Sequence, residues 1–123
     1  MGLQISTREA SEVTILDLRG RATMGGGESE LLDSHLKKVV AGSARNLLLN
    51  LKELTHVDSS GVGIIVGTCV SLRRKGGDLK LLGAHNGVLK VLTVFRLFDV
   101  IQSFDDEARA VASFRPKDKE GNG

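Results

Sequence analysis

Hydrophobic and polar residues alternate with a period of two near the start of the chain, which indicates strands. Residues 3–6 and 13–19 both show this alternation, and the polar segment 9–12 lies between them. The sequence therefore predicts an antiparallel hairpin. Two later runs, 47–51 and 79–82, are mostly apolar with little alternation. Such runs are typical of strands that are covered on both faces.

Four other segments carry apolar residues three and four positions apart, which is the spacing of one helix face. The first predicted helix covers residues 28–40, and the second covers about residues 59–75. The third begins at Asn86, and the fourth begins at residues 103–106, which resemble a capping box. The residues predicted to face the core are Leu32, Leu36, Val39 and Val40, then Val62, Ile65, Val66, Cys69 and Leu72, then Val88, Val91, Leu92 and Phe95, and finally Ala108, Val111 and Ala112.

The order of these elements predicts a single α/β domain over residues 3–114. A helix that connects two buried strands implies that the two strands are parallel. Residues 100–101 are a candidate for a short edge strand, so we expect a sheet of four or five strands with about four helices. Residues 115–123 consist mainly of charged residues with Pro, Gly and Asn, which predicts a disordered tail.

The composition narrows the classes of function. A net charge of +2 is too small to indicate nucleic acid or a membrane surface as partner, and the absence of Trp and Tyr disfavours stacking on single strands. The single cysteine, Cys69, excludes an internal disulfide and fits a reducing compartment. No apolar run approaches the roughly 20 residues that span a bilayer, and no signal segment opens the chain. We therefore expect a cytoplasmic domain.

The most informative stretch is residues 56–67, where a predicted strand and a short loop lead into the second helix. Asp58, Ser59 and Ser60 fall at the start of that helix. Side-chain oxygens at this position accept hydrogen bonds from the unpaired N–H groups of the first turn, and negative charge is stabilised there. A serine hydroxyl in this place can be a helix cap, a phosphate ligand or a site of phosphorylation.

Three glycines in the second predicted helix, Gly61, Gly63 and Gly67, each cost about 0.8–1 kcal/mol relative to Ala in a helix interior. Glycine at these positions must therefore have a reason, which is either close packing of the helix on the sheet or close approach of a ligand or partner to the backbone. A dinucleotide-binding fingerprint is disfavoured, because it needs a strand running directly into the glycines and an acid at the end of the next strand. Here residues 52–57 are predicted as a loop, and the strand 79–82 ends in Gly-Ala-His.

Candidate catalytic and metal-binding residues are scattered along the chain. His35, His56 and His85 lie far apart, and no pair has the spacing of metal ligands. His56 is close in sequence to Asp58 and Ser59, but a catalytic triad needs three groups that converge on one pocket with an oxyanion hole. We therefore expect no enzyme activity, no metal site and no cofactor.

The motif Asp-Ser-Ser-Gly-Val-Gly at residues 58–63, in this setting, resembles that of a STAS domain of the anti-sigma-factor antagonist family. The resemblance covers about residues 3–114. Its other features are Leu18-Arg19-Gly20, then residues 47–51, 76–81 and 88–92, in the order of the family. The resemblance implies a mixed sheet with helices packed mainly on one face.

The resemblance also implies a switch in protein binding rather than catalysis. In the family, the unphosphorylated domain binds an anti-sigma factor that is itself a serine kinase, and so releases the sigma factor. The kinase phosphorylates the first serine of the motif, here Ser59, which ends binding, and a separate serine phosphatase removes the phosphate. ATP belongs to the kinase. The partner-binding residues implied are Thr23, Met24, Asp58, Ser59, Ser60, Gly61, Val62 and Gly63, in a monomer or weak dimer.

The loop after the second predicted strand departs from the family pattern. Many relatives have a Leu/Ile-Asp pair there, whereas this chain has Ala22-Thr23-Met24 followed by three glycines. Thr23 replaces the expected acid, so the partner surface differs from that of those relatives. The alternative function is a STAS module without a switch, in a membrane transporter or a larger signalling complex, which would need no acceptor serine.

Overall fold

The computed structural model describes residues 2–114, which form one five-stranded sheet with four α-helices. The elements are β1 (Leu3–Ala10), β2 (Val13–Ala22), α1 (Glu28–Ala41), β3 (Asn46–Val57), α2 (Ser59–Arg74), β4 (Asp78–Leu82), α3 (Asn86–Val94), β5 (Ser103–Phe104) and α4 (Glu107–Ala112). Short 3-10 turns cover Gly25–Gly27 and Leu97–Asp99. The tail predicted for residues 115–123 lies outside the described residues.

The strands lie in the order β1-β2-β3-β4-β5. β1 and β2 pair antiparallel through a two-residue turn in which Ser11 and Glu12 have φ angles of 50° and 68°. Positive φ at both central residues gives the turn the twist that a hairpin needs. β2, β3, β4 and β5 are parallel neighbours, and α2 connects β3 to β4. The predicted hairpin and the predicted mixed sheet are both confirmed.

The two faces of the sheet carry cores of unequal size. The larger core lies between the sheet and α1, α2 and α3, and it includes Leu47, Leu49 and Leu51 of β3. Leu48 points to the other face, where a small core lies under α4. Its members are Val13, Ile15, Leu48, Leu82 and Ala110. β3 is therefore buried on both faces, as its unbroken apolar run predicts, and three of the four helices pack on one face.

β2 and β3 are longer than the sequence pattern predicts. We expected residues 52–57 to be a loop, but they continue β3. They remain in the strand because they pair with the end of β2, and the last pair is Ala22 with Val57. The register shifts twice along this pair, after Asp17 and after Gly20. These irregularities break the simple alternation that marks a strand. One argument against a dinucleotide site was therefore wrong, since a strand does run directly to the glycine-containing helix.

Two expectations near the C-terminal end need correction. The edge strand is β5, not residues 100–101, because the 3-10 turn before it draws Ile101 into the main core. The residue that caps α4 is Asp106, whose Oδ2 accepts a hydrogen bond from Arg109 N at 2.9 Å. Ser103 therefore belongs to β5 and is not the cap.

The inward-facing residues of α1 and α2 agree with the predicted stripes, whereas those of α3 and α4 agree only in part. Val88 and Leu92 are buried, but Phe95 is half exposed. In α4 the buried residue is Ala110, and Ala108 and Ala112 are exposed. A short helix gives little periodicity, and α4 is capped at Asp106, three residues later than the predicted cap at Ser103. Of the three residues predicted to face inward, Val111 packs against the small core.

Candidate functional site

Asp58 connects the end of β3 to the start of α2 and caps that helix. Its backbone is extended, and its Oδ1 accepts hydrogen bonds from Ser60 N at 3.0 Å and Gly61 N at 3.3 Å. Oδ1 also accepts the Ser60 hydroxyl at 2.5 Å. The cap that the sequence predicted for this position is therefore supplied by Asp58, and neither serine is needed for it.

The second oxygen of Asp58 reaches the loop between β2 and α1. Met24 N donates a hydrogen bond to Oδ2 at 2.9 Å, across 34 positions of sequence. The hydrogen bonds from the Ser60 hydroxyl and from Met24 N lower the pKa of Asp58 below its ordinary value. One ionised carboxylate thus joins the loop to the first turn of α2.

Ser59 is the first residue of α2, and its side chain points to solvent. Within residues 2–114, its hydroxyl makes no hydrogen bond, whereas the half-buried Ser60 hydroxyl is bonded to Asp58. The backbone N–H groups of this turn create a positive potential that favours an added anion. The two neighbouring serines therefore differ in accessibility and in hydrogen bonding, and only Ser59 presents a hydroxyl that is exposed and unengaged.

The loop between β2 and α1 exposes Met24 and holds Thr23. The Thr23 hydroxyl donates a hydrogen bond to Glu28 Oε1 at 2.8 Å. The backbone carbonyl of Thr23 accepts a hydrogen bond from Ser29 N at 3.0 Å. The Met24 side chain is 70% exposed. The Thr23 side chain is thus bonded to the start of α1, and Met24 is the residue of the pair that faces outward.

The glycines of α2 serve two different purposes. A Cβ on Gly61 would lie 2.7 Å from Val57 Cγ2 and 2.8 Å from the Ala22 carbonyl oxygen, so its absence lets α2 sit against the sheet. A Cβ on Gly63 or Gly67 would meet no atom within 4 Å. Close packing on the sheet, the first of the two reasons expected from the sequence, therefore applies at Gly61. Gly63 and Gly67 lie at an open surface, and close approach of a ligand or partner to them stays a prediction.

The open glycines line a groove of about 570 Å³ between α1 and α2, and Ser59 lies at one end of it. The residues lining the groove are Asp33, Leu36, Lys37, Val40, Ala41, Ser59, Ser60, Gly63, Ile64, Gly67, Thr68 and Ser71. Val62, by contrast, is only 5% exposed and packs in the main core. Val62, although predicted to bind the partner, therefore lies beneath the surface and packs under the groove rather than lining it.

The three histidines are not brought together. His35 Nε2 lies 3.4 Å from Thr7 Oγ1, and His85 Nε2 lies 2.9 Å from the Lys52 carbonyl oxygen. His56 Nδ1 is 2.9 Å from Thr55 Oγ1, so this ring nitrogen faces Thr55 rather than Ser59. In the described part of the chain, no three His, Cys, Asp or Glu side chains are grouped as metal ligands would be.

The sequence did not reveal the contact between Met24 N and Asp58, because it joins a backbone group to a side chain in distant segments. The part played by Glu28 was also missed, although an acid five residues after Thr23 at the predicted start of a helix was a usable signal. None of the helices between residues 2 and 114 combines the length and apolarity that crossing a bilayer requires.

Comparison with known proteins identifies the family. The family model described as the STAS domain matches residues 4–110. The anti-sigma F factor antagonist of Paenibacillus polymyxa is 27% identical over 112 residues, which cover 90% of this chain and 94% of the relative. The structure of the Bacillus cell fate determinant SpoIIAA in the phosphorylated form is 22% identical, covers 93% of this chain and 100% of that one, and has a TM-score of 0.68.

A sulfate transporter family protein from Wolinella succinogenes has almost the same structural similarity. Its TM-score is 0.69 at 19% identity, with 86% of this chain and 87% of that chain covered. The two structures bear different functional names at equal similarity, so the fold alone does not assign a function. The family model nevertheless spans most of the chain, and the chain belongs to the STAS domain family.

Proposed function

We propose that the chain is an anti-sigma-factor antagonist whose binding is switched off by phosphorylation of Ser59. The observation that carries the proposal is the exposed, unengaged Ser59 hydroxyl beside a carboxylate that already caps the helix. The partner is an anti-sigma factor with serine kinase activity, and a serine phosphatase restores the binding form. The domain itself acts in the cytoplasm without catalysis.

Relatives support the regulatory part of this proposal. The Paenibacillus relative is named as an anti-sigma F factor antagonist and aligns over nearly the whole of both chains. SpoIIAA, whose structure is described as that of the phosphorylated form, shares the fold. The choice of Ser59 as the acceptor comes from the family resemblance, and the geometry supports it, because the neighbouring Ser60 hydroxyl donates a hydrogen bond to Asp58 at 2.5 Å.

The physical basis of the switch is local. A phosphoserine adds about −1.5 to −2 charges at neutral pH. The N-terminal N–H groups of α2 stabilise such a charge by typically 0.3–1 kcal/mol, so the fold tolerates it. A partner packed over Ser59 must remove water from that added charge. Binding is therefore lost through electrostatics and bulk, without refolding of the domain.

The test is phosphate transfer from the kinase-type anti-sigma factors of the source organism. Each kinase is incubated with the protein and ATP, and the modified residue is located by mass spectrometry. We expect one phosphate on Ser59, lost in Ser59→Ala and retained in the matched control Ser60→Ala. Phosphate on Ser60 or Thr23 instead would refute the assignment of Ser59.

A charge-mimicking variant should separate binding from folding. We expect Ser59→Asp to weaken binding to the kinase by tens to over a hundredfold, because a loss of about 2–3 kcal/mol corresponds to that factor. Its melting temperature should stay close to that of the unmodified protein, since an acid in the first turn of a helix is favourable. A large fall in melting temperature would show that Ser59 has a structural role. Unchanged binding would contradict the switch.

The alternative, a STAS module without a switch in a transporter or signalling complex, predicts a different result. No kinase would then transfer phosphate to the protein, and Ser59→Asp would leave every interaction unchanged. The exposed Ser59 hydroxyl favours the switch, because a constitutive module has no need of an accessible serine at this helix start.

A further inference from the structure

The loop between β2 and α1 is joined to α2 by one side chain. The bond from Met24 N to Asp58 Oδ2 is 2.9 Å long, and among residues 2–114 it is the hydrogen bond that connects this loop to the start of α2. The other bonds of the loop, from Thr23 to Glu28 and from Ser29 N to Thr23 O, run to α1. Removal of the Asp58 contact would leave the loop fixed at α1 but free on the side of α2.

We propose that Asp58 is a positioning residue, which holds the exposed Met24 side chain beside Ser59 as the apolar anchor of the docking surface. This inference rests on the proposed function and assigns a role within the same surface. Asp58 acts through Met24, while its first oxygen maintains the cap of α2. The cap and the anchor thus depend on the two oxygens of one carboxylate.

The composition of the loop explains why a hydrogen bond to Asp58 is needed to order it. Three consecutive glycines follow Met24, and Gly26 and Gly27 have φ angles of 76° and 82°. Glycines adopt this conformation readily but lose more conformational freedom on ordering than other residues. Without a bond to α2, Met24 would sample many positions. A partner would then have to order the loop on binding, which lowers affinity.

Met24 has the properties of an anchor. It is 70% exposed, and it lies in the loop that Asp58 holds against the first turn of α2. Methionine is flexible and polarizable, so it fits irregular apolar pockets on a partner. A few such side chains commonly account for most of the energy of an interface. The base of the loop is closely packed, because the Ala22 carbonyl oxygen lies against Gly61, where a Cβ would be 2.8 Å from it.

The substitution Asp58→Ser separates the two roles of Asp58. Serine caps helices about as well as aspartate, so the first turn of α2 should remain intact. Its single oxygen has no counterpart of Oδ2, so Met24 N loses its acceptor. The matched control is Ser60→Ala, which removes the hydroxyl bond to Asp58 Oδ1 but keeps the bond from Met24 N.

The first measurement uses the full chain alone and follows amide hydrogen exchange by NMR. In Asp58→Ser we expect protection of the Met24 amide to fall about tenfold, with protection at Ser60 and Gly61 retained. Ser60→Ala should leave Met24 protected. Unchanged protection of Met24 in Asp58→Ser would overturn the proposal, and this result does not depend on whether a partner exists.

The second measurement is a double-mutant cycle of binding to the kinase found in the phosphate-transfer experiment, with ADP present so that no phosphate is transferred. We expect Met24→Ala and Asp58→Ser each to weaken binding about tenfold, and the double variant to bind no more weakly than Met24→Ala alone. Additive losses would show that Asp58 contacts the partner directly and would overturn the positioning role. If no kinase binds the unmodified protein, the proposed function fails, while the exchange result still decides whether Asp58 holds Met24.

Discussion

Two polar networks in this domain, one centred on Asp58 and one on Arg8, use charged side chains in opposite ways. Arg8 Nε and Nη2 donate to Asp17 at 2.7 and 3.0 Å, and Arg8 Nη1 and Nη2 donate to Glu107 at 2.8 and 2.7 Å. Asn50 Nδ2 completes the second network with a bond of 2.8 Å to Asp17 Oδ1. These contacts tie β1, β2 and β3 to α4.

In the Arg8 network, the charged side chains bond to one another. In the Asp58 network, the carboxylate holds the backbone in place around two groups to which it makes no bond, the Ser59 hydroxyl and the Met24 side chain. Both oxygens of Asp17 and both of Glu107 are bonded, so nothing in the Arg8 network is left over for a partner. Asp58 is equally satisfied, yet it lies beside an exposed Ser59 hydroxyl and an exposed Met24 side chain. The comparison suggests that polar contacts around a binding site hold the surface in place and leave its reactive groups free.

The largest expected effect comes from Gly61, on which the Asp58 network rests. A Cβ here would lie 2.7 Å from Val57 Cγ2 and 2.8 Å from the Ala22 carbonyl oxygen, and the backbone oxygen cannot give way. We expect Gly61→Val to destabilise the domain by about 2–3 kcal/mol, as overpacking typically does. Thermal or urea unfolding measures this. A stability equal to that of the unmodified protein would mean that α2 can shift without loss, and that the site is less rigid than described.

A smaller loss is expected from Arg8→Gln, which removes both carboxylate pairs of the second network. The side chains of Arg8, Asp17 and Glu107 are 41, 28 and 37% exposed, so solvent screening limits the loss to about 1 kcal/mol at neutral pH. The matched control is Arg19→Gln, whose pair with Glu53 is 3.9 Å long and highly exposed, and which should change stability very little. Phosphate transfer to Ser59 should be unaffected by either variant.

The loss caused by Arg8→Gln should depend on pH. The hydrogen bonds from Arg8 lower the pKa values of Asp17 and Glu107 in the folded state. Carboxylates with depressed pKa values stabilise the fold above their unfolded pKa, at about 3.9–4.3, and this stabilisation disappears as the pH falls through the folded values. The difference in unfolding free energy between the two proteins should therefore shrink below about pH 4. A difference that stays constant down to pH 2 would contradict an ionic origin.

An effect of opposite sign is expected at the open glycines. A Cβ on Gly63 would meet no atom within 4 Å, so Gly63→Ala should stabilise α2 by about 0.8–1 kcal/mol through helix propensity alone. The added methyl group lies in the groove beside Ser59, so the same variant should weaken partner binding. Gly67→Ala, one turn further along, is the comparison. Destabilisation by Gly63→Ala would mean that the residue packs against something in the fold.

The order of elements could be predicted from the sequence because each long element has a clear pattern. The unbroken apolar run of β3 and the stripe on α2, including Ile65 and Leu72, leave little choice of fold. The ends of elements could not be predicted in the same way. The last six residues of β3 follow a partner strand with two register shifts, and no local pattern records a shift in a distant strand.

The features of the site also fall into those that local sequence predicts and those that depend on distant segments. Asp58 as cap and Ser59 as the first helical residue follow from local helix chemistry, and both are where the sequence puts them. The bond between Asp58 and Met24 does not follow from it, because a contact across 34 positions depends on how β2 and β3 are placed side by side. The different surroundings of Gly61 and Gly63 could not be predicted either, since both simply occur in an apolar helix.

The smallest expected effect is that of Ser59→Ala, and it is most informative beside the larger effect of the adjacent Ser60→Ala. Ser60→Ala removes the hydroxyl that donates to Asp58 Oδ1 at 2.5 Å, and we expect a loss of about 1 kcal/mol, as for a hydrogen bond to a charged group that is partly exposed. Ser59→Ala removes a hydroxyl that makes no hydrogen bond within residues 2–114, so stability should change by less than about 0.5 kcal/mol. Parallel urea titrations of the two variants measure the difference. If Ser59→Ala were the more destabilising, the hydroxyl assigned to the partner would instead support the fold, and the contrast between the two networks would not hold.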